Sequence, residues 1–149
     1  MKKVPLTLVI YTILQWTWGI LQNILGGLLF LFLLIKNPKA KHDYYHGAVV
    51  TPWKQGKGSM GLGMFIFFGH QGAPDAKEVI VHEWGHTVQS VILGPLFLFV
   101  IGLPSLIWAY TPKFEKMRKE KNIPYTAAYC EKWASGMGER LTGEPAVWR

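Results

Sequence analysis

Between Pro5 and Ile35 the chain carries no charged side chain and is apolar almost without a break. About 20 apolar residues cross a hydrocarbon core, so this run is longer than one span requires. A cleaved leader would have a shorter apolar region closed by a small-residue site, and neither is visible. The length therefore favours a retained N-terminal membrane anchor, residues 1–41. Gln15, Gly19, Gln22, Asn23, Gly26 and Gly27 interrupt the run. It reads either as one long transmembrane helix bent near Gly19 or as a hairpin of two short segments, with Trp16 and Trp18 as an interfacial pair in the second case. The single helix is preferred. Gln22 and Asn23 at that depth are expected to face protein rather than lipid.

Composition points the same way. Half of the 149 residues are hydrophobic and 14% aromatic, high for a small soluble domain. The net charge is +7, and its lysines cluster at 2–3, 36–41 and 113–121, beside apolar runs. Such clusters suit lipid headgroups, so the expected partner is a bilayer and the expected location the cell membrane. Their balance leans toward an active site on the cytoplasmic side. No nucleic-acid motif accompanies the charge, and nucleic acid is not an expected partner. A single cysteine, Cys130, excludes an intrachain disulfide.

The chemistry is carried by His82-Glu83-Trp84-Gly85-His86. On a helix the two histidines share one face, close enough for both imidazoles to ligate one zinc ion. Glu83 is placed to act as general base on a water without ligating the metal itself. Asp75, with Glu78 three residues later, signals a capped start, and Gly94-Pro95 signals a stop. The predicted helix runs from Ala76 to Leu93, with Glu78, His82, His86 and Gln89 as a polar stripe on one face. Burying that stripe requires a partner for it.

Around this helix, Ala48–Val50 reads as a short strand and Gln55–Ser59 as a loop. Ser59–Phe68 reads as a strand ending a hairpin begun near Gly47. Such a strand beside a metal helix can receive a peptide substrate as an added strand, or simply cover the helix. His42 and His46 read as surface residues. His70 reads as a loop residue, with oxyanion stabilisation as the alternative. Residues 95–110 are uncharged but short for a span and broken by Gly102 and Pro104, which fits a bent or re-entrant membrane segment. Residues 112–121 form a charged connection, and Pro124–Glu139 reads as a last helix.

Two histidines leave a catalytic zinc one protein ligand short. Among later acids, Glu115 and Glu120 lie among lysines and Glu144 in a Gly-Glu-Pro segment, whereas Glu131 lies among aromatic and small residues on the last helix. Glu131 is the expected third ligand. Tyr125 and Arg140 are chosen by type alone as further transition-state groups.

His82-Glu83-x-x-His86 followed by Glu131-Lys-Trp-Ala134 resembles the paired motifs of gluzincin membrane proteases of the CAAX-protease and HtpX type, His-Glu-x-x-His and Glu-x-x-Ala-Asp. The chain also resembles small bacterial membrane proteins with His-Glu-Tyr-Gly-His, Leu-Gly-Pro-Leu-Tyr and Gly-x-Pro-Ser segments, matched here at His82–His86, Leu93–Phe97 and Gly102–Ser105. The first resemblance implies Glu131 as zinc ligand. It departs at Ser135, where the protease family has an Asp that orients a ligating histidine, and a serine is the weaker partner. The implied fold is mainly α, in an α+β membrane protein: an N-terminal transmembrane helix, a short β-hairpin, the zinc helix, the bent segment and a ligand helix. Residues 42–149 would form a minimal zincin-like domain. The implied function is a zinc metallopeptidase acting on a peptide or membrane-protein substrate. The alternative is a non-catalytic, metal-stabilised membrane scaffold or binding protein.

Overall fold

The computed structural model describes residues 5–54 and 58–148, so the basic start at Met1–Lys3 and residues 55–57 of the expected loop lie outside the described residues. The architecture is mostly helical, with one small mixed sheet.

The apolar N-terminal run is two helices, α1 (Leu6–Thr17) and α2 (Ile20–Lys36), bent 89° at Trp18-Gly19. This corrects the preferred single helix. The physical reason is a polar hinge. Asn23 Nδ2 donates to the Gln15 carbonyl at 2.7 Å, supplying a partner for an end-of-helix acceptor that a further helical turn would otherwise bond. At Gly19 a Cβ would come within 2.8 Å of Gln15 Oε1. Gln15, Gln22 and Asn23 are all fully buried. Gln15 Nε2 donates to the Thr87 carbonyl at 2.8 Å and the Gly63 carbonyl at 3.3 Å. Asn23 Oδ1 accepts the Met64 N–H at 2.7 Å, and Gln22 Nε2 donates to the Gly94 carbonyl. The polar interruptions thus face protein, as expected. Among the described residues no single helix is long and apolar enough to cross a membrane. Two bent pairs, α1 with α2 and 76–96 with 98–110, meet the length and composition together, the second with a bend of 118°.

Four strands follow: β1 (Asp43–Tyr45), β2 (Ala48–Pro52), β3 (Met60–Leu62) and β4 (Phe65–Phe68), in spatial order β1-β2-β4-β3. The expected single hairpin is two hairpins, β1–β2 and β3–β4, joined by a parallel β2–β4 pair running from Val49 opposite Phe65 to Pro52 opposite Phe68. The chain reverses at Gly63, whose φ of +60° suits glycine, and the Asn23 side chain fills the space a Cβ there would need. All four β4 side chains are buried, and their alternation divides two apolar layers. Ile66 and Phe68 pack with Val50, Val79, Trp84 and Val88; Phe65 and Phe67 pack with Leu33 of α2.

Helix α3 spans Ala76–Leu93, the bounds expected from its stop and start signals. The expected capping box is not made: the Asp75 side chain makes no cap hydrogen bond, and the Val79 N–H is taken by the Asp75 main-chain carbonyl at 3.1 Å. Beyond Gly94 the chain forms a 3₁₀ turn to Leu96, a π-helical turn at Leu98–Gly102, and α4 (Leu103–Tyr110), the bent segment anticipated. The charged connection is an exposed helix, α5 (Pro112–Lys121). The last helix, α6 (Tyr129–Thr142), begins later than expected, because Tyr125–Ala127 is a separate 3₁₀ turn. There Trp108 Nε1 donates to the Tyr125 carbonyl at 2.7 Å, which removes that carbonyl from a helical ladder.

Candidate metal centre

Close approach of α3 and α6 builds the centre. A Cβ at Gly85 would overlap the Ala134 carbonyl, and one at Gly138 would overlap the Val81 carbonyl. Main chain therefore packs on main chain, which carries the Glu131 carboxylate onto the imidazole face of α3. On the other side, a Cβ at Gly61 of β3 would overlap the Glu83 carbonyl, so the edge strand lies directly against the same turn.

His82, His86 and Glu131 converge, their ligand atoms all within 4.8 Å of one another. Glu131 Oε2 lies 3.0 Å from His82 Nε2 and 3.2 Å from His86 Nε2. The three residues are only 4%, 6% and 1% exposed, so water barely reaches the cluster. Their neighbours decide which ring nitrogen carries the proton. Gln89 Nε2 donates to the Cys130 carbonyl at 2.9 Å, so Gln89 Oε1 is the acceptor 2.7 Å from His86 Nδ1. The Ser135 hydroxyl donates to the Val147 carbonyl at 2.7 Å, so its oxygen accepts from His82 Nδ1 at 2.8 Å. Both imidazoles therefore carry a proton on Nδ1 and turn Nε2 inward toward Glu131 Oε2. Glu131 Oε2 accepts from the inward ring nitrogens, and although burial opposes it, the Glu131 charge and hydrogen bond push the His86 imidazole up to about 9. A cation can take the place of the shared Nε2 protons, and the donor set suits zinc: two imidazoles and a carboxylate. The described residues thus fit a metal ion.

Electrostatics agree. Burial alone would raise the Glu131 carboxyl, but the His86 and His82 imidazoles and their hydrogen bonds hold it well below the usual carboxylate range, in the ionised form a ligand needs. Burial pushes the Glu83 carboxyl up, against the opposing pull of His82 and His86. Glu83 Oε2 is buried without a hydrogen-bond partner, while the Gly61 N–H bonds the same carboxylate.

The remaining expected residues divide. Gln89 and Ser135 are fully buried and touch the ligand histidines. The Tyr125 hydroxyl bonds Ser105, and its raised pKa reflects burial first and then the Glu131 charge. His70 turns elsewhere, with Nδ1 2.9 Å from Ser59 Oγ. Arg140 is exposed in the last turn of α6, about 13 Å along the helix axis from Glu131 by the rise per residue. Of the other histidines, His46 is exposed, and His42 is half-buried, 3.2 Å from Thr51 Oγ1. The glycines of the β3 segment were expected to permit close approach, and Gly61 does so against Glu83. Sequence reasoning passed over three contributors. Gly85 and Gly138 permit the approach of α3 and α6, and a glycine inside the histidine motif was a readable signal. The third is Cys130, whose thiol donates toward Glu131 Oε1 at 3.6 Å and had no signal beyond adjacency.

Comparison with protein families, with characterised proteins and with solved structures yields no match to this chain.

Proposed function

We propose that this protein is a membrane-embedded zinc metallopeptidase. The observation that carries the reading is the inward convergence of two keyed imidazoles and a buried carboxylate beside a second carboxylate with an unpartnered oxygen. His82, His86 and Glu131 would hold zinc, which supplies Lewis-acid polarisation and water activation when bound. Glu83 takes the proton from the attacking water and passes it to the leaving amine. Its burial favours proton uptake, the property a general base needs near neutral pH. Tyr125 is the best placed of the expected oxyanion partners. β3 lies against the Glu83 turn and covers that side of the metal helix.

The lipid reading rests on exposed apolar side chains along α2 and the bent segment, with Leu28 61%, Ile35 80% and Phe99 69% exposed. Cavities at the end of α2 are lined by Lys36, Lys39, Lys41 and Lys54 with no acidic side chain, which suits anionic headgroups on the cytoplasmic face. In this reading α1, α2 and residues 94–110 sit in the bilayer, and α3 and α6 lie outside it.

Near-complete burial of all three ligands favours the second reading, a metal-stabilised membrane scaffold without turnover. One experiment separates them. Detergent-purified protein is assayed for bound zinc and for cleavage of a mixed peptide library, alongside Glu83→Gln and Glu131→Ala. Cleavage lost in Glu83→Gln with zinc retained supports the peptidase. Zinc in the wild type with no cleavage under any condition supports the scaffold. No zinc in the wild type removes both readings.

A further inference from the structure

The two ligand histidines are oriented by different means. His86 is keyed by Gln89, itself tied to the Cys130 carbonyl, so all three groups belong to α3 and α6. His82 is keyed by an alcohol, and an alcohol alone is ambiguous because it can donate or accept. The Val147 carbonyl, which can only accept, removes the ambiguity by taking the Ser135 proton at 2.7 Å. That carbonyl lies outside both helices. Residues 143–148 fold back to deliver it. The Val147 N–H donates to the Glu78 carbonyl of α3 at 3.2 Å. The Ala146 N–H, at 3.0 Å, and Trp148 Nε1, at 2.7 Å, both donate to Glu139 Oε1 of α6. Glu144 pairs with Lys77 of α3. The segment thus bridges the two ligand helices behind His82.

We propose that Ser135 and the Val147 carbonyl form an uncharged relay that orients His82 and fixes its tautomer, making residues 143–148 a working part of the metal centre. The proposal rests on the metal-binding reading of the triad. It also accounts for the serine. A carboxylate at position 135 would face the Val147 carbonyl acceptor to acceptor, so an alcohol and the folded-back segment require each other. Ser135 and Glu139 are positioning residues: neither touches the proposed metal, and each acts through His82.

The test uses the full chain in detergent and has two readouts: affinity for Zn²⁺ and Co²⁺, and long-range ¹H–¹⁵N spectra of the imidazoles without metal. Ser135→Ala is expected to weaken zinc binding by about 10- to 100-fold, the usual effect of losing an outer partner of a ligand histidine. Glu139→Ala, which unhooks the segment and leaves Ser135 in place, is expected to weaken it in the same sense by a smaller factor. Glu139→Gln keeps an acceptor oxygen and is expected to bind as the wild type does. In the metal-free spectra His82 should leave the Nδ1–H form in Ser135→Ala and Glu139→Ala, while His86 stays unchanged. Wild-type affinity and an unaltered His82 signal in both variants would overturn the relay. A wild type that binds neither metal defeats the metal reading instead, and the His82 spectrum then still decides the relay. If Ser135→Ala does not fold, the Glu139 pair decides alone.

Discussion

Two regions of this molecule bury polar side chains in apolar surroundings, and they settle the cost differently. At the α1–α2 bend the groups are neutral amides. Gln15 and Asn23 donate to main-chain carbonyls and accept from Ser90 and Met64. Only Gln22 Oε1 lacks a partner there. Between α3 and α6 the buried groups are two imidazoles and a carboxylate turned onto one another, a set that could exchange its shared protons for a metal ion. A closed network of neutral amides rigidifies a fold, and an open one, whose shared protons a cation can displace, can do chemistry. Burial is the same in both places, so it is the kind of group buried that separates a structural hinge from a candidate site.

The comparison can be broken most sharply at Glu83. If the open network is catalytic, Glu83→Gln should lower kcat by about 10²- to 10⁴-fold, the usual worth of a general base, with zinc content unchanged. Undiminished turnover in that variant would sink the assignment. Next comes the cation itself. Zinc at about 100 times its Kd should stabilise the wild type by about 2.7 kcal/mol, read as a rise in melting temperature. Glu131→Ala should abolish that rise, whereas Asn23→Ala should leave it intact. The close approach of the helices comes third. Gly85→Ala forces a methyl into the Ala134 carbonyl and should cost about 1–3 kcal/mol by overpacking, with zinc affinity falling as Glu131 is pushed away. The closed network should respond in stability alone. Gln15→Leu removes the donor to the Thr87 and Gly63 carbonyls and the acceptor of the Ser90 hydroxyl, and should cost about 1–3 kcal/mol in denaturant unfolding. A change in zinc affinity in Gln15→Leu would mean the two regions are coupled. The smallest effect is at the lysine-lined cavities. Lys54→Gln should weaken binding to phosphatidylglycerol vesicles by about 1 kcal/mol, and have no effect on phosphatidylcholine vesicles.

Much of the centre was legible because its signals are local. The histidine spacing, the stop at Gly94-Pro95 and the helix bounds Ala76–Leu93 need only the geometry of one helix. Glu131 could be reached by asking which later acid lies among packing residues rather than lysines. The strand pairing could not be reached in this way. A parallel β2–β4 contact depends on where Gly63 reverses the chain, and on Asn23 of a distant helix filling the space beside that turn. The N-terminal run misled for a related reason. Its apolar length matches a span, and the hydrogen bonds that break it form only once α3 and the β3–β4 turn are in place.

The sequence by itself determined the candidate ligand types, their helical spacing and the stop at Gly94-Pro95, because each depends on residues a few positions apart. The tertiary structure alone decided that the N-terminal run breaks in two, that two imidazoles and a carboxylate meet, that β3 lies against Glu83, and that Ser135 reaches the Val147 carbonyl. The last three outcomes hang on ångström-scale approach of main chains at Gly61, Gly85 and Gly138, and such approach is a property of packed elements rather than of any local pattern.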